Sequence, residues 1–217
     1  MKIDLTGKNA LVCGSTKGIG KAIAIQFAAS GANVVLVSRN EESLRSVLRE
    51  MPATKKQNHN FIVADFNEPE TLRQKMNNFA SENPPVHILV NNTGGPKGGE
   101  IYKAETTEFE NAFKNHLICN HIMVQAVVEG MKKEKYGRII NVISTSVKQP
   151  IKNLGVSNTI RAAVASWSKT ISVELGSFGI TVNNILPVQQ RLKDYPLFSK
   201  PVQKKAAKQL MRSRKFG

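Results

Sequence analysis

Short apolar runs alternate along this chain with longer segments of helical periodicity, and this alternation constrains the fold more than any other feature. The apolar runs predict strands at 10–13, 33–37, 61–64, 87–90, 138–143 and 180–185. Nearly all of them are continuously apolar, which is typical of strands that are buried on both faces. The sequence therefore predicts a sheet that is covered on both sides.

Between the predicted strands lie segments in which apolar residues recur at helical spacing. These segments predict helices at 19–30, 41–50, 69–80, 107–131 and 157–176. One face of the last helix is marked by Ile160, Val164, Trp167, Ile171 and Leu175. Strict alternation of strand and helix requires right-handed crossovers, so we expect an α/β fold with a Rossmann-like, doubly wound parallel sheet.

Length and charge divide the chain into two regions. Its 217 residues, 41% of them hydrophobic, suffice for one core, and we expect a single domain over residues 1–190. Residues 191–217 carry nine basic residues and one acidic residue, a net +8, so the total of +15 leaves +7 for the preceding 190. Such a segment is usually solvated, and it lacks an aromatic stacking series, so a nucleic-acid binder is the least favoured function.

Cysteine content and hydropathy bear on location. Cys13 and Cys119 lie within apolar segments, and two cysteines are too few for a disulfide framework. The first eight residues include charges and lead directly into a strand, unlike a signal peptide. No apolar run approaches the length of a membrane span. We therefore expect a cytoplasmic protein that does not contact a membrane.

The turn after the first predicted strand has the composition of a phosphate-binding loop. It reads Gly14-Ser15-Thr16-Lys17-Gly18-Ile19-Gly20 and leads into a helix. Without side chains at Gly14, Gly18 and Gly20, the backbone can approach a pyrophosphate, which then faces the N–H groups and dipole of the helix. Three glycines also fit an ordinary tight turn, but the place of this turn between the first strand and the first helix favours a dinucleotide site.

The end of the second predicted strand indicates which dinucleotide to expect. Sites that prefer NAD place a carboxylate there for the ribose 2′-hydroxyl, whereas this chain reads Ser38-Arg39-Asn40. The guanidinium of Arg39, together with Lys17 of the glycine turn, would attract the 2′-phosphate of NADP(H). The alternative interpretation of Arg39 is a solvated loop residue.

Further motifs follow the glycine turn along the chain. They are Asp65-Phe66, Asn91-Asn92-Thr93-Gly94, and Ile180-Thr181-Val182-Asn183 with Pro187. Together with the glycine turn, they occur in the order typical of the short-chain dehydrogenase/reductase family, and the chain resembles its subgroup similar to 3-oxoacyl-[acyl-carrier-protein] reductase over about residues 4–187. This resemblance implies that Asp65 and Phe66 hold the adenine ring and that the sixth strand, with Pro187, lies over the nicotinamide. It also implies cofactor contacts from Asn91, Thr93 and Gly94.

The resemblance also identifies an exchange of catalytic groups. In the family, hydride leaves the nicotinamide while a tyrosine protonates the carbonyl oxygen, a serine holds the substrate and a lysine lowers the pKa of the tyrosine. Ser144 matches the serine, but Ser157 stands in the tyrosine position and Arg161 in the lysine position. A phenol has a pKa of about 10 and an aliphatic hydroxyl is far less acidic, so the usual proton transfer does not carry over. Arg161 keeps a positive charge that can hold the nicotinamide ribose.

Other groups are candidates for the missing proton donor. The family's asparagine, which organises a proton-relay water, falls at Asn115 or at His116, and the sequence does not decide between them. His116 titrates near neutrality and Lys148 lies in the loop beyond the fifth strand, so either is a candidate donor. A packed histidine and a solvated lysine are the plain alternatives. Tyr102 and Tyr136 fit the role poorly.

The resemblance implies ligands and an assembly as well. The expected ligands are NADP(H) and a small-molecule carbonyl or alcohol substrate, without a metal, because no ligand set clusters with His116 and Cys119. Family members assemble through their fourth and fifth long helices, so we expect a homo-oligomer. Relatives have a further helix and a last strand beyond the position of Pro187, whereas this chain stops at Gly217, and we expect that strand to be missing.

Two classes of function follow from these motifs. The retained cofactor motifs favour an NADP(H)-dependent oxidoreductase with a non-standard proton donor. Ser157, Arg161 and the short end favour a catalytically inactive dinucleotide-binding protein instead. Hydride transfer in a single turnover separates these two, and a strong salt dependence of nucleic-acid binding would support the third, least favoured class.

Overall fold

The computed structural model describes residues 3–187, which form a parallel sheet of six strands with helices on both faces. The strands are β1 (Asn9–Cys13), β2 (Asn33–Ser38), β3 (Asn60–Val63), β4 (Ile88–Asn91), β5 (Gly137–Val142) and β6 (Ile180–Ile185). They lie in the order β3-β2-β1-β4-β5-β6, and each neighbouring pair is parallel. The predicted Rossmann-like, doubly wound sheet is confirmed.

Helices connect successive strands. They are α1 (Gly18–Ala29), α2 (Glu41–Glu50), α3 (Pro69–Glu82), α4 (Thr106–Phe113), α5 (Cys119–Lys133) and α6 (Gly155–Leu175). Local sequence sets some of their first residues. Asn40 precedes α2 and its side chain accepts a hydrogen bond from the backbone N–H of Ser43 at 2.7 Å, and Pro69 opens α3, where a missing N–H does no harm. Apart from the fourth helix, the predicted bounds agree with these to within two residues.

The predicted helix at 107–131 is not one regular helix. α4 and α5 are joined by a π-helical turn over Lys114–Ile118, which contains Asn115 and His116. A turn of this kind widens the helix by one residue and frequently occurs at functional sites. Apolar periodicity continues on both sides of the turn, so the sequence pattern could not reveal it. The prediction of a single uninterrupted helix is wrong at this point.

The two faces of the sheet carry separate apolar layers. Residues such as Val12 and Leu36 pack with α1 and α2 on one face, while Leu89 and Ile139 pack with α3, α5 and α6 on the other. Because both faces are buried, the central strands read as continuous apolar runs, as the sequence predicts. Trp167 is partly buried against the second layer, with its ring edge-on to that of His121 at 6.2 Å.

The chain reverses its winding direction in the middle of the sheet. It proceeds from β1 outward to β2 and β3, then returns to β4 beside β1 and continues through β5 to β6. In an open α/β sheet, the loops diverge where the strand order reverses and leave a crevice at the carboxyl ends of the strands. The fold therefore places a ligand crevice between the loops that follow β1 and β4.

Several predictions fall outside the described residues. These are the basic segment 191–217, the domain boundary at residue 190 and the loss of the last family strand. Within residues 3–187, no helix has the length and apolar character needed to cross a membrane.

Candidate functional site

A cleft of about 760 Å³ opens at the carboxyl ends of β1 to β4. It is lined by Gly14, Thr16, Lys17 and Ile19 after β1, Val37 to Asn40 at the end of β2, Ser43 in α2, Ala64 to Asn67 after β3, Asn92 to Gly95 after β4, and Asn115. Its volume lies within the range of about 300–1,000 Å³ that small-molecule sites occupy. The structure thus brings most of the predicted cofactor residues to one cleft.

Two of the three glycines in the first turn are required by packing against Asn92. A Cβ added at Gly14 would lie 2.5 Å from the Asn92 carbonyl oxygen, and one at Gly20 would lie 2.6 Å from Asn92 Nδ2. The Asn92 amide donates to the carbonyl oxygens of Cys13 and Gly14, each at 3.2 Å. The glycines therefore let the turns after β1 and β4 meet directly.

The third glycine lies at the exposed start of α1. Gly18 has φ +56°, and a Cβ there would meet nothing within 4 Å, so its conformation rather than its surroundings favours glycine. The preceding Lys17 is extended, its side chain does not cap the helix, and the first turn of α1 contains no acidic residue. The first N–H groups of α1 are thus available for an anion, as in a dinucleotide site.

Not every residue of the glycine turn faces the cleft. Ser15 is fully buried, and its hydroxyl donates to the Val37 carbonyl at 3.4 Å, while Gly20 is buried within the first turn of α1. Thr16, which the sequence argument passed over, lines the cleft, and its hydroxyl lies 3.4 Å from that of Ser38. Ser15 and Thr16 therefore join the glycine turn to β2.

Two cations line the cleft, Lys17 from the turn after β1 and Arg39 from the end of β2. Both are exposed, and neither forms an ion pair with another described residue. A second hollow of about 440 Å³ shares Arg39 and Asp65 with the cleft and extends to Lys75. Asp65 and Glu68 line this hollow as well, but neither carboxylate forms an ion pair with Arg39 or Lys17.

Three polar side chains, hydrogen-bonded in series, connect the loop after β3 to the π-helical turn. Asp65 Oδ1 accepts hydrogen bonds from the backbone N–H and the side-chain amide of Asn67, both at 2.9 Å. Asn67 Oδ1 in turn accepts a hydrogen bond from Asn115 Nδ2 at 3.0 Å. Asn115 Oδ1 is buried and has no hydrogen-bond partner in residues 3–187. Asn115 lines the cleft, but this oxygen is closed off from it.

Asn91, a predicted cofactor residue, does not line the cleft. It is buried in β4, where Nδ2 donates to Asn141 Oδ1 at 2.8 Å. Asn141 Nδ2 donates to Ser168 Oγ at 2.9 Å and to Asn184 Oδ1 at 3.3 Å. The three asparagines are aligned in register across β4, β5 and β6. This buried ladder holds the ends of these strands together, and the neighbouring residue Asn92 faces the cleft instead.

Asn115 and His116, which the sequence could not distinguish, have different surroundings. His116 is 2% exposed, and its Nδ1 is hydrogen-bonded to the hydroxyl of Thr93. Burial, and then the charge of Arg161, lower the pKa of His116 to about 3, so the imidazole is neutral near pH 7. Thr93 thus lies between the cleft and a neutral, buried histidine.

Arg161 lies beneath the glycine-rich loop that follows β4. Its side chain is buried, and Nη1 donates to the Val142 carbonyl at the end of β5, at 2.9 Å. A Cβ added at Gly95, which lines the cleft, would lie 4.0 Å from Arg161 Nη2. Burial lowers the pKa of Arg161 to about 10, which leaves the guanidinium charged near pH 7.

Three further predicted catalytic residues, Ser144, Ser157 and Lys148, do not line the cleft. Ser144 Oγ accepts from the backbone N–H of Ser146 at 3.1 Å and so begins the short helical turn Thr145–Val147. Ser157 is partly buried in the first turn of α6, and Lys148 is exposed on the loop beyond Ser144. Asn158 is not among the predicted site residues, but its amide donates to the Ile151 carbonyl at 2.9 Å and so holds this loop against α6.

Neither described tyrosine replaces the missing phenol. Tyr102 is 77% exposed. Tyr136 lies just before β5, at the other end of the sheet, where Lys8 and Arg138 lie within 4.1 and 4.3 Å of its ring. Proton transfer at this site would therefore use a group other than a described tyrosine.

Among residues 3–187, no group of three or more His, Cys, Asp or Glu side chains is arranged to hold a metal ion.

Comparison with known proteins agrees with this architecture. Residues 8–190 match the short chain dehydrogenase family. The chain is 32% identical over 183 residues to inactive hydroxysteroid dehydrogenase-like protein 1 of Homo sapiens, which covers 83% of this chain and 55% of that protein. It is 31% identical over 187 residues to 3-oxoacyl-[acyl-carrier-protein] reductase FabG of Vibrio cholerae, which covers 85% of this chain and 74% of that protein.

A solved structure with the same fold is that of L-sorbose reductase from Gluconobacter frateurii, complexed with NADPH and L-sorbose. It superposes with a TM-score of 0.80 at 29% identity and covers 86% of this chain and 71% of that one. The chain spans about half the length of the first curated relatives it matches. Likeness in sequence and in sheet order extends over most of the described residues, and this chain belongs to the short chain dehydrogenase family.

Proposed function

We propose that this chain is an NADP(H)-dependent oxidoreductase that acts on a small carbonyl or alcohol compound. One observation carries the proposal: Lys17, in the turn after β1, and Arg39, at the end of β2, both line the cleft, and residues 37–40 include no carboxylate. A 2′-phosphate would gain charge-assisted hydrogen bonds there that NAD(H) cannot form. The NADPH complex of the structurally similar L-sorbose reductase supports this choice of cofactor.

The residues of the cleft fit a dinucleotide. The first N–H groups of α1, with Gly14, Gly18 and Ile19, would hold the pyrophosphate, while Ser38 and Arg39 would hold the adenosine ribose and its 2′-phosphate. Asp65 and Phe66 line the cleft and would hold the adenine ring. Contacts from Thr93, Gly94 and Pro187 stay predictions.

The chain's own residues account for orientation and binding in the reaction. When bound, NADPH supplies the hydride that reduces a carbonyl carbon. Arg161 would donate hydrogen bonds to the hydroxyls of the nicotinamide ribose, and Ser144 would donate one to the carbonyl oxygen of the substrate. Ser157 is a poor proton donor because an aliphatic hydroxyl is weakly acidic. Since His116 is neutral and buried, the exposed Lys148 is the better candidate to deliver the proton.

A second candidate function is a catalytically inactive dinucleotide-binding protein. Ser157 and Arg161 favour it, because both partners of the proton-transfer pair are exchanged. The human relative that carries the word inactive in its name supports this alternative too. Both candidates require the same cofactor cleft and differ in whether hydride leaves the cofactor. The predicted homo-oligomer, the cytoplasmic location and any role of residues 191–217 stay predictions.

The proposal is tested first by thermal unfolding of the full 217-residue chain with NADPH or NADH. We expect a stabilisation that grows with NADPH concentration and is weaker for NADH. Arg39→Asp should reduce the affinity for NADPH by about ten-fold or more, because a charged hydrogen bond contributes roughly 1.5–3 kcal/mol. The control is Arg49→Asp, which makes the same charge change at an exposed position of α2 outside the cleft.

The outcome separates the candidates. Equal stabilisation by the two nucleotides, unchanged in Arg39→Asp, would contradict NADP selectivity. If NADPH binds, single-turnover oxidation of NADPH by a panel of small aldehydes and ketones distinguishes an oxidoreductase from an inactive binder. Nucleotide binding without any hydride transfer would favour the second candidate.

A further inference from the structure

Arg161 is a buried cation that the described chain barely compensates. Its side chain is 8% exposed, and its hydrogen bond within residues 3–187 joins Nη1 to the Val142 carbonyl. No aspartate or glutamate in that part of the chain forms an ion pair with it. A guanidinium has five N–H donors, and a charge buried without an opposite charge destabilises a protein. The remaining donors of Arg161 therefore call for an anionic partner.

The polar neighbours of the guanidinium do not provide that charge. Burial, with the field of Arg161, lowers the pKa of His116 to about 3, so the imidazole is uncharged near pH 7. Its hydrogen-bond partner Thr93 is neutral, and so is the Val142 carbonyl. The ribose hydroxyls of the proposed cofactor are neutral as well. They can accept hydrogen bonds from Arg161 but leave its charge unbalanced.

The Gly95 position is open next to the guanidinium of Arg161. A Cβ added at Gly95 would meet no heavy atom within 4 Å except Arg161 Nη2, at 4.0 Å, so the loop leaves this side open. Ser157 lies four residues before Arg161 on α6, and residues four apart share one face of a helix. Its hydroxymethyl group is far smaller than a phenol. A small ligand group could thus reach both Arg161 and the Ser157 hydroxyl.

We propose that Arg161 selects substrates that carry a carboxylate next to the reactive carbonyl or hydroxyl carbon, that is, 2-oxo acids and 2-hydroxy acids. The inference rests on the proposed function, because the substrate must adjoin the nicotinamide end of the cleft. One edge of the planar guanidinium serves the ribose, and the other pairs with the carboxylate in bidentate geometry.

The test compares lactate with lactamide, its neutral amide, on the full chain saturated with NADPH. Reduced cofactor cannot oxidise either compound, so the readout is binding alone. At equal ionic strength, lactate should raise the unfolding temperature by about 2 °C or more in a saturable manner, and lactamide should not. Equal effects of the two compounds, or no effect of either, would overturn the proposal.

Variants of Arg161 test whether the lactate response depends on this guanidinium. Arg161→Met should abolish the lactate response, and Arg161→Lys should weaken it, because an ammonium lacks the bidentate fork. Lys169→Met, which removes an exposed charge from the same helix, should respond like the wild type. A lactate response that survives in folded Arg161→Met would overturn the assignment. The stabilisation by NADPH alone is measured separately. If NADPH does not stabilise the protein, the proposed function fails. The lactate response of the protein without cofactor still tests the anion site in that case.

Discussion

Substitution of Gly20 by alanine tests whether the glycine turn is required by packing rather than by backbone conformation. The added Cβ would lie 2.6 Å from Asn92 Nδ2 and still closer to the Gly14 carbonyl oxygen. Both distances are below any ordinary carbon contact, so the turns after β1 and β4 must separate. Gly20 is in α1 without a positive φ, so backbone strain does not contribute to the expected effect.

The expected change in the free energy of unfolding combines two destabilising effects with one stabilising effect. Overpacking of this kind destabilises by about 1–3 kcal/mol, and weakening the hydrogen bonds of Asn92 to Cys13 and Gly14 adds roughly 1 kcal/mol. The higher helix propensity of alanine offsets about 1 kcal/mol. We therefore expect a loss of about 1–3 kcal/mol, which corresponds to a decrease of about 3–10 °C in Tm for a chain of this size.

The assay is urea and thermal unfolding of Gly20→Ala without cofactor. Gly176→Ala is the matched control, because Gly176 is also helical in conformation and a Cβ there meets nothing within 4 Å. The control should unfold like the wild type or slightly later. If Gly20→Ala and Gly176→Ala have the same free energy of unfolding, the close approach of Gly20 to Asn92 does not constrain this turn, and the reasoning is refuted.

Three further predictions concern the interior of the site. In fluorescence titrations, Arg161→Ala should weaken NADPH binding more than Ser157→Ala does, because the guanidinium reaches the ribose hydroxyls; equal affinities would contradict that placement. Asn141→Leu should lower the free energy of unfolding in urea by about 1–3 kcal/mol, because it leaves buried amides without partners. The pKa of His116 is lowered from 6.5 to about 3 on folding, so the unfolded chain binds more protons between these values and stability falls as pH decreases through them. His116→Asn should reduce this slope by up to about 1.4 kcal/mol per pH unit, and an unchanged slope would exclude His116 as its source.

The fold could be predicted from the sequence because its cause is spread over many residues. Burial of both sheet faces makes each central strand a continuous apolar run, and alternation with helices leaves few topologies. The π-helical turn at Lys114–Ile118 escaped prediction because it depends on a local choice of hydrogen bonds that leaves the apolar pattern unchanged. The direction in which Asn115 and His116 point depends on that turn and was therefore beyond sequence reasoning.

The candidate site was predicted in part. Residues that line the cleft through the loops after β1 and β2, such as Lys17 and Arg39, follow from their places at strand ends. Asn91 was chosen by motif, but the one-residue alternation of a strand directs it into the asparagine ladder and directs Asn92 to the cleft. Pairings between distant segments, such as Thr93 with His116, leave no local signal in the sequence.

The groups that replace the usual catalytic residues are compatible with one another. This compatibility bears on whether the exchange reflects unselected loss of function. An imidazole buried beside a cation must be neutral, and His116 meets this requirement with Thr93 as its hydrogen-bond partner. Arg161 reaches the Val142 carbonyl and keeps its other donors beside the open side of Gly95. Loss of function by unselected substitution has no reason to produce both a hydrogen-bonded neutral histidine and a buried arginine whose Nη2 lies next to the open Gly95 position. A site organised around an anion accounts for both, whereas a site organised around an acidic phenol requires neither.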